Sequence, residues 1–143
     1  MAKHKTVPLE LINLNNDGFH LLVEVVVFGQ SYQAVLDTGA SKTVFDKETI
    51  ENHVKSGELL ASDRVSTGLG TNNMESHTII LPKMKIGKLK LKNFEAAVLD
   101  LTTIKEAYSI LNLPPVIGVI GGDILNSHQA IINYKNLKLK LFY

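Results

Sequence analysis

The sequence predicts a mostly β single domain spanning residues 1–143, with two or three short helices, and three observations predict it. Apolar and β-branched runs of strand length recur along the chain, divided by Gly, Asn and Asp turn residues. The last arm alternates as a half-buried strand does, with Leu137, Leu139 and Leu141 on one face and Lys138 and Lys140 on the other. Helix signals are short, and no repeat, linker or low-complexity stretch divides the chain. A chain of 143 residues also buries enough surface to fold without disulfides or a structural metal.

Val7 to Leu14 reads as a first strand, closed by the turn signal Asn15-Asn16-Asp17-Gly18, so that residues 1–18 form an N-terminal strand and turn. Phe19 to Phe28 and Ser31 to Leu36 form a hairpin around Gly29-Gln30. From Asp46 to Lys55 the pattern turns helical, with Asp46 as cap, Glu48 and Glu51 in the early turns and Gly57 as stop. Arg64 to Thr67 and His77 to Leu81 flank Gly68-Leu69-Gly70-Thr71-Asn72-Asn73 as a hairpin with a glycine-rich tip. Met84 to Ile86 and Leu89 to Leu99 are further strands, and Thr102 to Leu111 is a helix stopped by Pro114-Pro115. Val116 to Ile120 is a buried strand, Ile124 to Ser127 opens a short helix, and Ala130 to Tyr134 with Leu137 to Tyr143 close the chain as a hairpin. Tyr32, Tyr108 and Tyr134 are expected in the core or at its edges.

Composition narrows the function. Fifteen basic and fourteen acidic side chains leave a charge of +1, without the basic excess of a nucleic acid binder. Lys83, Lys85, Lys88, Lys90 and Lys92 alternate with apolar residues and read as the solvent face of a sheet. The chain has no cysteine, which excludes thiol catalysis and thiolate metal sites, and its five histidines are scattered, so neither metal nor cofactor is expected. Met1 to Pro8 lack the apolar stretch of a signal peptide and no window spans a membrane, so a cytoplasmic location is expected as the sequence stands, unless a leader precedes it.

One segment stands apart chemically: Ala34-Val35-Leu36-Asp37-Thr38-Gly39-Ala40-Ser41. An apolar strand runs straight into a carboxylate, which is costly to ionise there unless amides or hydroxyls reach it. Gly39 permits a tight loop whose N–H approaches that carboxylate, and Thr38 offers a hydroxyl. Asp-Thr-Gly is also a natural turn tripeptide, and alone it favours the plain strand-to-turn exit. Gly118-Val119-Ile120-Gly121-Gly122-Asp123 lacks the spacing and the Lys-Ser/Thr of a phosphate loop. Ser41 and Ser66 have no histidine in a recognisable partner context.

The chain resembles the retropepsin-like aspartic proteases, which include the retroviral proteases and bacterial relatives. The resemblance rests on Leu36-Asp37-Thr38-Gly39-Ala40-Ser41 after two strands, and on a second signature about eighty residues later, Val119-Ile120-Gly121-Gly122-Asp123-Ile124-Leu125. It covers residues 19 to 143, places residues 64–81 where the family has its flap, and is nearer the bacterial branch because of the two longer helices. The viral pattern pairs an acidic residue after Asp-Thr-Gly-Ala with an arginine after the second-signature glycine. Here Ser41 and Gly122 stand there, so both partners are missing together and no charge is stranded.

The resemblance implies a single-domain acid-protease barrel, working as a homodimer on peptide or protein substrates, with no metal, nucleic acid or membrane involved. Two aspartates about 3 Å apart share one proton and so supply both acid and base. This chain has one Asp-Thr-Gly, so a second chain is required. Asp37 is then catalytic, Thr38, Gly39, Ala40 and Ser41 form the active-site loop, and Gly68, Leu69, Gly70, Val119 and Ile120 line the substrate. Gly121 and Asp123 support the second signature. The terminal segments, Val7 to Leu14 and Leu137 to Tyr143, are expected as unpaired apolar edges that join the two chains. The competing expectation is a non-proteolytic domain of the same fold, serving dimerisation or peptide binding.

Overall fold

Alternating strands give the chain one apolar face, and it closes on itself as a barrel. The computed structural model describes residues 3–15, 18–54, 60–61 and 77–143. Its strands are β1 (His4–Asn13), β2 (Phe19–Val27), β3 (Gln30–Leu36), β4 (Val44–Asp46), β5 (Leu60–Ala61), β6 (His77–Ile86), β7 (Leu89–Leu99), β8 (Val116–Ile120), β9 (Ile131–Asn133) and β10 (Lys138–Phe142). Three short helices accompany them, α1 (Lys47–Glu51), α2 (Thr102–Ile110) and α3 (Gly122–Ser127). The strands follow one another as β5-β6-β7-β4-β8-β3-β2-β1-β10-β9, and a further β6–β2 pairing closes β2, β3, β8, β4, β7 and β6 into a six-stranded barrel.

Inside the barrel Val23, Val25, Val27, Phe45, Ile86, Val98 and Ile120 are fully buried. A second core lies outside it. Tyr108 of α2 covers Ile12, Leu22, Val35 and Val116, outward residues of β1, β2, β3 and β8, together with Leu14 just past β1. Burial of this order contributes roughly 1.5–3 kcal/mol per large side chain, which is how two small clusters hold a chain with no covalent staple.

Most strands fall where the apolar runs predict, with three differences. β6 runs unbroken through Pro82, because its alternation shifts phase there in step with Asn93 opposite, which takes a left-handed φ of 51°. β4 and β5, of three and two residues, are too short to show a period. The expected helix from Asp46 is real but ends at Glu51, with Asp46 accepting the Thr49 N–H as its cap. Tyr134 is exposed rather than part of a core. The expected strand Arg64–Thr67 and the tip Gly68–Asn73 lie outside the described residues.

The terminal strands correct one expectation. β1 pairs β10 antiparallel within the chain, from His4↔Phe142 to Pro8↔Lys138, then pairs β2 from Leu9↔Val23 onward. β10 also pairs β9 on its other side, and Leu139 and Leu141 are fully buried. The apolar edges therefore satisfy each other in one chain. Among the described residues, no helix is long and apolar enough to cross a membrane.

Candidate active site

The parallel pair β3–β8 brings the two signatures side by side, with Ala34↔Gly118, Val35↔Val119 and Leu36↔Ile120 in register. A side chain at Gly118 would drive into the carbonyl of Val44, so only glycine lets β4 and β8 approach this closely. Both strands end together, and their exits carry the chemistry. Asp37 donates its N–H to the Ile120 carbonyl at 3.0 Å, which fixes the backbone at the turn. Its Oδ1 accepts the Gly39 N–H at 2.9 Å, and its carbonyl accepts the Ala40 N–H at 3.2 Å. Asp37 is half-buried while Thr38, Gly39 and Ser41 are exposed. The carboxylate is thus oriented by the tight loop anticipated for Gly39, and still open to solvent.

The second signature grips this loop from below. Gly122 donates to the Ala40 carbonyl at 2.7 Å and Asp123 to the Ser41 carbonyl at 3.1 Å. The Asp123 carboxylate accepts the Thr43 N–H on both oxygens at 3.0 Å, the Thr43 hydroxyl at 2.8 Å, and its own helix's Ile124 N–H at 2.9 Å. Thr43, fully buried, accepts the Gly121 N–H at 3.1 Å through the same hydroxyl. A Cβ on Gly121 would come within 2.6 Å of the Lys42 backbone. Thr43 was not singled out from the sequence. Its signal is only its place, six residues after Asp37, and its partners lie about eighty residues away at the start of α3.

Other expected residues are placed differently. Ile120 is fully buried in the barrel and Val119 packs against the α2 cluster, so neither is brought to the open surface beside Asp37. Gly68, Leu69 and Gly70 lie outside the described residues. Two concavities, of about 280 Å³ beside Lys47, Glu51 and Asp100 and about 310 Å³ beside Pro8, Glu24 and Gln33, are not lined by Asp37. Among the described residues, no group of three or more His, Asp or Glu side chains could hold a metal.

Behind the loop, Asp46 is fully buried and receives the Leu101 N–H at 3.1 Å, the Thr49 hydroxyl at 2.8 Å and the Lys105 ammonium at 2.8 Å. Burial alone would raise its carboxyl, but these donors together hold it below its usual 3.8. The hydrogen bond to Asp46 in turn raises Lys105. This cluster ties α1 and α2 to β4, the strand that follows the loop. On the other side of β2, Tyr108 and His20 Nδ1 lie 2.6 Å apart, and burial pushes the Tyr108 phenol up to about 12.

A closed six-stranded barrel, with an aspartate loop clamped by a glycine-bearing strand-to-helix turn, is the architecture of the acid proteases. The match to known proteins agrees. The model of the aspartyl protease family matches residues 23–124, which include Asp37 and Asp123, and the chain belongs to that family. Its fold is similar to that of a retropepsin-like aspartic protease from Rickettsia conorii, at 21% identity and TM-score 0.60 over 100% of this chain and 93% of that one. It is also similar to the retroviral protease-like domain of Ddi1 from Leishmania major, at 19% identity and TM-score 0.56 over 87% and 94%. The EIAV protease bound to the inhibitor HBY-793 matches at 20% identity and TM-score 0.58, over 85% and 99%. No curated protein sequence matches the chain.

Proposed function

We propose that this chain is an aspartic endopeptidase that acts as a homodimer, each protomer supplying one Asp37. The observation that supports it is the setting of Asp37: a carboxylate at the exit of a buried strand, oriented by the Gly39 N–H, and half-open to solvent. Among the described hydrogen bonds the Asp37 carboxylate accepts only the Gly39 N–H and pairs with no charged side chain, which leaves it available for a hydrolytic role.

Two such carboxylates about 3 Å apart hold one proton between them. The ionised one takes a proton from water, whose oxygen attacks the peptide carbonyl carbon, while the protonated one donates to the carbonyl oxygen. Collapse of the tetrahedral intermediate breaks the C–N bond: one hydroxyl of the gem-diol returns its proton to the dyad as the new acid forms, and the proton taken from water leaves with the amine. Thr38, exposed beside Asp37, is available to brace the partner's loop, and Ala40 and Ser41 border the cleft. The expected flap, residues 64–81 with Gly68, Leu69 and Gly70 over the substrate, falls mostly outside the described residues.

The test is digestion of a peptide library by purified protein at a series of pH values from about 4 to 7. Cleavage that EDTA leaves unchanged and that Asp37→Asn abolishes is the expected result. Cleavage that survives Asp37→Asn, or that EDTA removes and zinc restores, overturns it.

A further inference from the structure

We propose that the outer face of the β6–β7 ribbon docks an acidic, extended peptide segment of a partner protein, held by Lys83, Lys85, Lys90 and Lys92 and by the open edge of β7.

Register gathers the charges. β6 and β7 pair antiparallel with Lys83 opposite Lys92 and Lys85 opposite Lys90, and Lys88 stands in the turn between the strands. All five lysines are exposed, while Met84, Ile86 and Leu89 on the other face are buried. The four paired lysines thus form a grid, with Cβ atoms about 5 Å apart across the strands and about 7 Å apart along them. Like charges set directly opposite one another weaken the pairing of their strands. No carboxylate offsets them here: the ion pairs among the described residues belong to Lys105. Glu24 on neighbouring β2 takes the Ser31 hydroxyl at 2.8 Å, and Glu95 lies opposite Ile80, beyond the phase shift at Pro82 and Asn93.

The ribbon also has an open side. Among the described residues, β7 from Leu89 to Glu95 pairs only β6, and β4 joins it from Ala97 onward. Lysines on such an edge repel neutral apolar strands, which protects a monomer from aggregation. That role accounts for Lys90 and Lys92 but not for Lys85, which sits inside the sheet between Val26 and Lys90. A partner strand rich in carboxylates turns the same repulsion into attraction, because its acids meet the lysines while its backbone pairs the β7 edge.

Spacing selects the occupant. Same-face side chains of an extended peptide repeat every two residues, about 7 Å, which is the repeat of the lysine rows. An acid at every second position therefore meets a lysine at each step. The stretch from Lys83 to Lys92 has no aromatic residue on which a base could stack. Its buried apolar residues are not free to enter a bilayer either.

Fluorescence anisotropy at neutral pH tests this, with a labelled peptide of alternating glutamate and serine as the probe. A second probe spaces the same number of glutamates at every third residue. The full chain is compared with Lys85→Gln/Lys90→Gln and with Lys135→Gln/Lys138→Gln, which removes the same charge elsewhere. Circular dichroism melts check folding, and the ribbon variant should melt no lower than the parent because it relieves a like-charge pair. The expected result is saturable binding of the alternating peptide, weaker binding of the second, and weakening of both by salt. The ribbon variant should lose at least about tenfold in affinity and the control less than about twofold. Absence of binding, equal affinity for the two peptides, or equal loss in the two variants overturns the proposal. Tighter binding of an oligothymidylate, or of vesicles containing phosphatidylserine, overturns it in favour of a nucleic acid or a membrane.

Discussion

Asp123 holds Thr43 across 80 residues of sequence, both carboxylate oxygens taking its N–H at 3.0 Å and Oδ1 taking its hydroxyl at 2.8 Å. The contact joins the first turn of α3 to the last residue of the Asp37 loop. Because the Thr43 hydroxyl also accepts from Gly121, one side chain closes a ring between the two signatures. The loop that carries Asp37 is therefore held from below and open from above, the arrangement that the role proposed for Asp37 requires.

Thr43→Val should test that ring directly. The substitution keeps volume and branching, but strands the buried Gly121 N–H and takes one donor from Asp123. A loss of about 2–3 kcal/mol is expected, from the cost of an unsatisfied buried group. Urea unfolding should show a lower midpoint with an unchanged slope. Thr43→Ser, which keeps the hydroxyl, should recover most of the loss. Asp123→Asn should also weaken folding, by about 1–2 kcal/mol, since an amide turns a donor toward Thr43. Asp37→Asn should leave the midpoint nearly unchanged and remove cleavage. Equal stability in Thr43→Val and the parent would mean that the ring is incidental.

Much of this arrangement is legible in the sequence, and the reason is local. Leu36-Asp37-Thr38-Gly39 shows a strand meeting a carboxylate and a glycine within four residues, and the loop geometry follows from those types alone. Leu139 and Leu141 announce their burial by period two. Thr43 does not announce itself, because a threonine after a loop reads the same whether its hydroxyl meets water or Asp123. β4 is hidden for a related reason: its three residues owe their strand to Gly118, which lets β8 approach. The terminal strands are apolar, as the sequence predicts, but they pair with each other rather than with a second chain. Periodicity shows that an edge must be paired, and topology decides with what.

The acid limb of stability should run through Asp46. Its folded carboxyl is held below 3.8 despite burial, by Lys105, Leu101 and Thr49. A depressed carboxyl contributes stability that is full above the unfolded value and is lost as pH falls through the folded one. Asp46→Asn should therefore cost about 2–3 kcal/mol at pH 7, less than a fully buried pair because the Lys105 side chain is 31% exposed. The gap to the parent should narrow as pH drops below about 4, the ordinary carboxyl range. Paired urea melts at neutral and acid pH decide it. A gap of constant size would place the acid sensitivity elsewhere.

The alkaline limb has a different group behind it. Burial raises Tyr108 from 10.0 to about 12, so its neutral phenol is favoured in the folded state. Above the unfolded value the unfolded chain loses its proton first, and stability falls between about pH 10 and 12. Lys105, raised by Asp46, loses its contribution in the same direction as pH climbs through its folded value. Tyr108→Phe separates the two. It should cost about 1 kcal/mol at pH 7 through the lost contact with His20, and flatten the alkaline decline. A decline as steep as the parent's would assign it to Lys105 alone.

Removing Leu139 to Tyr143 should unfold the protein rather than release a folded monomer. The deleted segment is most of β10, and β10 lies between β1 and β9 inside one chain. Leu139 and Leu141 are fully buried against Val7 and the barrel core, and losing two leucines from such a site costs roughly 4–10 kcal/mol, comparable to a domain's whole stability. The cut would also expose the edge of β1 from His4 to Pro8, with Val7 beneath it, as a template for aggregation. The truncated chain should therefore show weak near-ultraviolet dichroism, no cooperative melt and no cleavage at any concentration. A truncated chain that folds cooperatively as a monomer would return the dimer contact to the terminal strands.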